Sequence, residues 1–126
     1  MEKELISASG VNASFCYSPA IRYGNLLFVS GQVGTDESGG TPEDIEVQTS
    51  LAIQNAEKLI KAAGGALCNV LMCQCFLQSE NCFEGMNRAY AGFFGGDHNL
   101  APARCTVIAP ALDKKFLVEI TMIVGL

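Results

Sequence analysis

Two charged residues stand where the chain is otherwise apolar, and they are its strongest candidates for chemistry. Arg104 lies within Pro102-Ala103-Arg104-Cys105-Thr106-Val107-Ile108-Ala109, and Glu119 within Lys115-Phe116-Leu117-Val118-Glu119-Ile120-Thr121-Met122-Ile123-Val124. Both runs have strand length and are rich in β-branched residues, with a turn-like segment from Pro110 to Lys115 between them. The second reads as largely buried on both faces. A carboxylate there is expensive to desolvate unless something pairs with it. One reading is a structural ion pair between neighbouring strands. The other is an anionic ligand gripped by the planar guanidinium fork, beside a carboxylate able to move protons. Spacing alone leaves both open.

The elements that must position these two residues can be read in order. Lys3 to Ser7 is expected to form an edge strand and Ala20 to Tyr23 a short one. Gly24-Asn25 makes a tight turn into Leu26-Leu27-Phe28-Val29-Ser30, with Gly31 to Gly34 continuing or bulging that strand. A polar, glycine-rich loop follows. The first helix is expected to take Thr41 as its N-cap, Pro42 in its first turn and Asp44 as the capping-box acid. Ile45, Ala52, Ala56, Leu59, Ile60 and Ala63 then fall on one face, and Gly64-Gly65 ends it. Asn69 to Gln78 reads as a strand. Asn81 and Glu84 open a second helix whose stripe of Phe83, Met86, Tyr90 and Phe93/Phe94 reads as core. His98 falls in its exit loop as a solvated residue. Each helix joins two strands, which predicts an α+β domain of two layers: a mixed sheet with both helices on one face. The uncovered face invites self-association.

Composition narrows the function classes. The 126 residues suit one domain, 1–126, and 49 % of them are hydrophobic against 17 % charged, an apolar balance that also predicts a homo-oligomer. The net charge of −5 and only eight scattered Lys and Arg argue against nucleic acid as a partner. With no apolar signal region and no run long enough to span a bilayer, the expected location is the cytoplasm, with the six cysteines as reduced thiols. Cys73-Gln74-Cys75 lacks the paired spacing of a zinc site, so no metal is expected. Dinucleotide loop, P-loop and nucleophile elbow are all missing.

Several runs together carry a resemblance. Tyr17-Ser18, Val29-Ser30-Gly31-Gln32-Val33-Gly34, Gln48-Thr49, Asn87-Arg88-Ala89-Tyr90, Phe93-Phe94, Pro102-Ala103-Arg104 and Val118-Glu119-Ile120 are similar in type and order to those of the Rid family (YjgF/RidA type) over nearly the whole chain. The best-known members are 2-iminobutanoate/2-iminopropanoate deaminases, and part of the family carries the label endoribonuclease L-PSP. The resemblance implies a chorismate-mutase-like (YjgF) fold, a trimer whose sheets form a central barrel, and a ligand cleft at each subunit interface. It implies that Arg104 binds a substrate carboxylate and that Glu119 handles protons on water and leaving ammonia. Tyr17, Ser30, Gly31 and Asn87 would line the cleft.

The implied reaction is hydrolysis of a reactive 2-imino acid to a 2-keto acid and ammonia, with no metal or organic cofactor. It needs a carboxylate anchor, a placed water and one group to shuttle a proton. Because imines already hydrolyse in water, acceleration by positioning would suffice. Two other classes stay in play: a non-catalytic, small-carboxylate-binding or chaperone-like trimer, and, disfavoured by the acidic charge, an endoribonuclease or translation inhibitor. Departures from the family pattern bear on substrate preference. Cys16 and Pro19 replace a common proline and glutamine beside Tyr17-Ser18, and Pro110 replaces a small or basic residue. Thr106 holds the place of a cysteine found in several active members. Strand alternation puts Thr106 on Arg104's side and Cys105 on the other, which argues against a thiol-dependent mechanism.

Overall fold

The computed structural model describes residues 1–11, 16–96, 100–111 and 113–126; the expectation for His98 lies outside them. Among the described residues six strands and two α-helices are formed: β1 (Lys3–Ile6), β2 (Ala20–Tyr23), β3 (Leu26–Val33), α1 (Ile45–Ala62), β4 (Val70–Leu77), α2 (Phe83–Phe94), β5 (Ala103–Ile108) and β6 (Val118–Gly125). They make the expected α+β architecture, a mixed sheet in the order β1-β2-β3-β6-β4-β5. All neighbours are antiparallel except β4 and β5.

The order rules out one of the two readings of Arg104 and Glu119, the ion pair between neighbouring strands. The two C-terminal strands are not neighbours, because β4 lies between β5 and β6. Strand β6 is buried on one face only, not on both as its apolar run suggests: Val118, Ile120, Met122 and Val124 face the helices and are buried, while the residues between them are partly exposed. It takes the interior position, where both of its edges are paired. β5 is left on the rim and is largely exposed.

Alternation sorts the sheet into two faces. Leu27, Val29, Cys73, Cys75 and Leu77 join the buried residues of β6 beneath both helices. Ile21, Phe28, Ile123 and Met72 are register partners across the opposite, uncovered face. On the helix side, Ala52, Ile53, Ala56, Leu59 and Ile60 of α1 and Met86 of α2 are fully buried. Gly85 permits the helices to meet, since a Cβ there would stand 2.5 Å from Ile45 Cγ2.

Both helices start later than their capping signals suggest. Asp44, not Thr41, is the N-cap of α1: its Oδ2 accepts the Val47 N–H at 2.9 Å. The acid adjoins Ile45, the first residue to pack, while the Pro42 carbonyl is taken by the Gln48 side chain. Likewise Glu80–Cys82 form a 3-10 turn before α2 begins at Phe83. Gly64 ends α1 with φ +87°, a conformation that favours glycine. No helix among the described residues is long and apolar enough to cross a membrane.

Candidate functional site

The residues expected to form one site fall into two groups on opposite faces of the sheet. Glu119 alternates with the buried residues of β6, so it points to the uncovered face, half-buried, with Val33 and Phe76 as register partners. Its neighbour on β3 is a bulge. Ser30 and Gly31 together oppose the single residue Thr121, because pairing shifts between Val29–Met122 and Gln32–Ile120. The extra residue brings the β3 backbone under the Glu119 carboxylate: a Cβ on Gly31 would stand 2.7 Å from its Cδ and Oε2. Glycine is needed here for space. Gly31→Ala is expected to keep the fold, since the carboxylate can swing aside, yet to lower turnover about 10²-fold through misplacement of that group. Comparing the melting temperature with single-turnover rates tests this; an unaltered rate would detach Glu119 from the chemistry.

Ser30 holds the rest of this group. Its hydroxyl donates to the Ser18 carbonyl at 2.6 Å, and its backbone N–H donates to the Pro19 carbonyl at 2.9 Å. Ser30 thus fastens the segment carrying Tyr17, a residue 54 % exposed. Tyr17 lines a depression with Glu119, Phe76, Pro110 and Phe116, and a second with Gly31, Gln32 and Asn55. The phenol, the bulge and the carboxylate are therefore contiguous. Cys16, where the resemblance leads one to expect proline, has φ +61°. A proline ring forbids that angle, so the loop enters Tyr17 by a path of its own.

Arg104 belongs to the other group. It is the register partner of the buried Cys73 on β4, which places it on the helix face of the rim strand. Its guanidinium carbon lies 4.9 Å from the centroid of the Tyr90 ring, a cation–π contact. Thr106 pairs with Cys75 and shares Arg104's face, whereas Cys105 pairs with Gln74 on the uncovered face. Three polar atoms buried in this region have no hydrogen-bond partner among the described residues: Asn87 Oδ1, Tyr90 Oη and Thr106 Oγ1. Tyr90 Oη lies beside the Cys73 thiol and Thr106 Oγ1 beside that of Cys75, weak partners for a hydroxyl, so polar capacity is left over beside the arginine of this rim strand.

Tyr90 is hidden in the sequence as one more member of an apolar stripe. Its signal is position: it lies one turn beyond Asn87 on a helix that must return antiparallel to β5. Burial raises the Tyr90 phenol well above its usual range, and the adjacent Cys73 thiol adds to the shift. Burial also raises Cys73, against the opposing effects of Tyr90 and Arg104, and pushes Cys75 up to about 12, helped by Cys73. These thiols are protonated near neutrality and poor nucleophiles. No group of three His, Cys, Asp or Glu side chains among the described residues is disposed to hold a metal ion.

No ion pair joins Arg104 to Glu119 among the described residues. Two strand spacings, roughly 10 Å, and the thickness of the sheet separate them. The intrachain ion pair is therefore excluded, and the arginine and carboxylate are both available to other groups.

Comparison with known proteins gives one consistent result. Residues 8–125 match the family model described as Endoribonuclease L-PSP. A RutC family protein of Sulfurisphaera tokodaii is 40 % identical over 109 residues, 85 % of each chain. The 2-iminobutanoate/2-iminopropanoate deaminase of Rattus norvegicus is 32 % identical over 124 residues, covering 96 % of this chain and 88 % of the rat protein. The crystal structure of E. coli TdcF with bound serine superposes with a TM-score of 0.90 at 26 % identity, covering 98 % of both chains.

Proposed function

The chain belongs to the endoribonuclease L-PSP family, which the Rid name also covers, and from that premise we propose that it hydrolyses 2-imino acids such as 2-iminopropanoate and 2-iminobutanoate to 2-keto acids and ammonia. The observation that carries the proposal is the division of the candidate residues between two faces. Each face holds half of what the reaction needs, and neither half is satisfied within the chain. Arg104 presents a guanidinium fork to a carboxylate, held by the Tyr90 ring. Asn87 and Thr106 flank it with unused polar atoms. Glu119, with Tyr17 and the Ser30–Gly31 bulge, supplies a carboxylate beside open space in which a water can sit.

A second copy of the chain completes the site by laying its uncovered sheet face against the rim strand β5 of the first. That face carries the apolar partners Ile21, Phe28, Ile123 and Met72, whose burial would drive the association. In the trimer expected for the family, Arg104 of one subunit would hold the substrate carboxylate and Glu119 of its neighbour would take a proton from water as it attacks the imine carbon. The same glutamic acid then protonates the departing amine. The charge state of the substrate is matched by the anchor, and the proton is returned within the cycle.

The bound serine of the TdcF structure supports a pocket for a small amino-acid-like carboxylate, and the name of the rat relative supports the reaction. The test is coupled turnover. Threonine dehydratase generates the imine, semicarbazide competes for it, and release of 2-oxobutanoate is compared with and without the protein. Acceleration that Arg104→Ala and Glu119→Gln each abolish establishes the reaction and both roles. Carboxylate binding without acceleration would instead make the protein a ligand-binding module.

A further inference from the structure

The helix face of β5 continues past Arg104 into an open groove that the reaction scheme does not use. Arg104, Thr106 and Ile108 are successive residues on that face, each pair roughly 6.6 Å apart along the strand. Helix α2 follows β4 and precedes the parallel strand β5, so it runs back antiparallel to β5: Tyr90, near its end, meets Arg104, and Phe83, at its start, lines the groove with Ile108. One end holds the Arg104–Tyr90 pair, the middle the unpartnered Asn87 Oδ1 and Thr106 Oγ1, and the far end is apolar. There Leu77, Phe83, Thr106 and Ile108 line a groove of ≈ 640 Å³, within the size range of small-molecule sites. Within the single chain Phe83 is 43 % and Ile108 57 % exposed. Glu80 and Glu84 stand on its rim, and neither has an ion-pair partner among the described residues.

We propose that the far end of this groove is the subsite for the substrate's own side chain, selecting neutral aliphatic 2-imino acids longer than 2-iminopropanoate and rejecting those with a second carboxylate. The inference rests on Arg104 as the carboxylate anchor. A ligand held there by its carboxylate spans one strand repeat with a chain of about four to five carbons, which carries its tip over Thr106 toward Leu77, Phe83 and Ile108. The N-terminal field of α2 would favour an anion at this end, but Glu80 and Glu84 occupy it with two carboxylates. A dicarboxylate therefore meets like charge and an apolar floor together.

Keto-acid products probe the subsite without turnover. Calorimetric binding of pyruvate, 2-oxobutanoate and 2-oxopentanoate is expected to tighten about fourfold per added methylene. 2-Oxoglutarate, of the same chain length as 2-oxopentanoate, should bind at least about tenfold more weakly than it. Phe83→Ala should flatten the series, and Glu80→Gln/Glu84→Gln should narrow the gap to 2-oxoglutarate, with the oligomer mass unaltered by sedimentation in both. Equal affinity along the series overturns the subsite and leaves the anchor standing. Loss of the oligomer in Phe83→Ala, with an unaltered series in wild type treated at the same dilution, assigns the groove to a second copy and also overturns it. Absence of any keto-acid binding overturns anchor and subsite together.

Discussion

Chains carrying Arg104→Ala and chains carrying Glu119→Gln, each inactive alone, are expected to recover activity when assembled together. The single effects should be large. Removing the guanidinium takes away charge-assisted hydrogen bonds worth about 1.5–3 kcal/mol each, a loss of about 10²–10³-fold or more in kcat/KM for a bidentate pair. Glu119→Gln keeps the shape but cannot exchange a proton, and should cost about 10²–10⁴-fold. Neither change should unfold the chain, because Arg104 is exposed and Glu119 pairs with no cation among the described residues.

The recovery follows from the strand order. Within one chain Arg104 and Glu119 lie on opposite faces with β4 between them. A ligand of a few carbons cannot touch both. If each site takes its arginine from one subunit and its glutamate from the next, random assortment of equal amounts of the two variants leaves about one quarter of the sites with both native residues. Co-refolding from denaturant, followed by the coupled imine assay, should therefore return about a quarter of wild-type turnover. A site built within one chain would stay dead in every mixture. Zero recovery from fully reassembled mixed oligomers would thus refute the composite site while leaving the two single-variant losses to be explained otherwise.

Much of this arrangement is legible in the order of residues alone. The 3.6-residue spacing of Ala52, Ala56, Leu59 and Ile60 marks the helix, a local consequence of one buried face, whereas the apolar run of β6 reads as buried on both faces when only alternate residues are. Alternation also separates Thr106 from Cys105, as the register shows. The order of strands is different. That β6 enters between β3 and β4 depends on pairings between residues far apart in the chain, which no local pattern encodes, and so spacing alone leaves open whether two runs adjacent in sequence are adjacent in space. Thr41 misleads for a related reason: a capping motif states what a helix start requires, and Asp44 meets the requirement closer to the first packed residue. Tyr90 is obscured because a phenol on an apolar stripe reads as core until its hydroxyl is found without a partner and its ring beneath an arginine. The site residues come from positions where local rules are broken by a charge, a bulge or an unsatisfied atom.

The largest effect on stability is expected from a residue that touches no ligand. Gln48 of α1 is fully buried, and its amide is used on both sides. Nε2 donates to the carbonyls of Pro42, at 2.7 Å, and Lys115, at 2.8 Å, while Oε1 accepts the Leu117 N–H at 2.8 Å. The side chain thereby fixes the segment that delivers Glu119 two residues later. Its backbone also packs against Gly34, where a Cβ would stand 2.5 Å from Gln48 Cα, so α1 cannot shift to compensate. Gln48→Met preserves length and volume but takes the partner from two carbonyls and one N–H in a part-buried setting. At about 1–3 kcal/mol for each group left unsatisfied, partly offset by relaxation, the expected destabilisation is about 3–5 kcal/mol. For a chain of this size that lowers the melting temperature by about 10–20 °C. Hydrogen exchange separates this account from a general loosening. The Leu117 amide should lose protection first and most, while amides in the middle of β6, held by pairing on both edges, should change only with global stability. A melting shift of less than about 3 °C, or unaltered protection at Leu117, would mean that the loop is held by its own turn and that Glu119 is positioned without the help of α1.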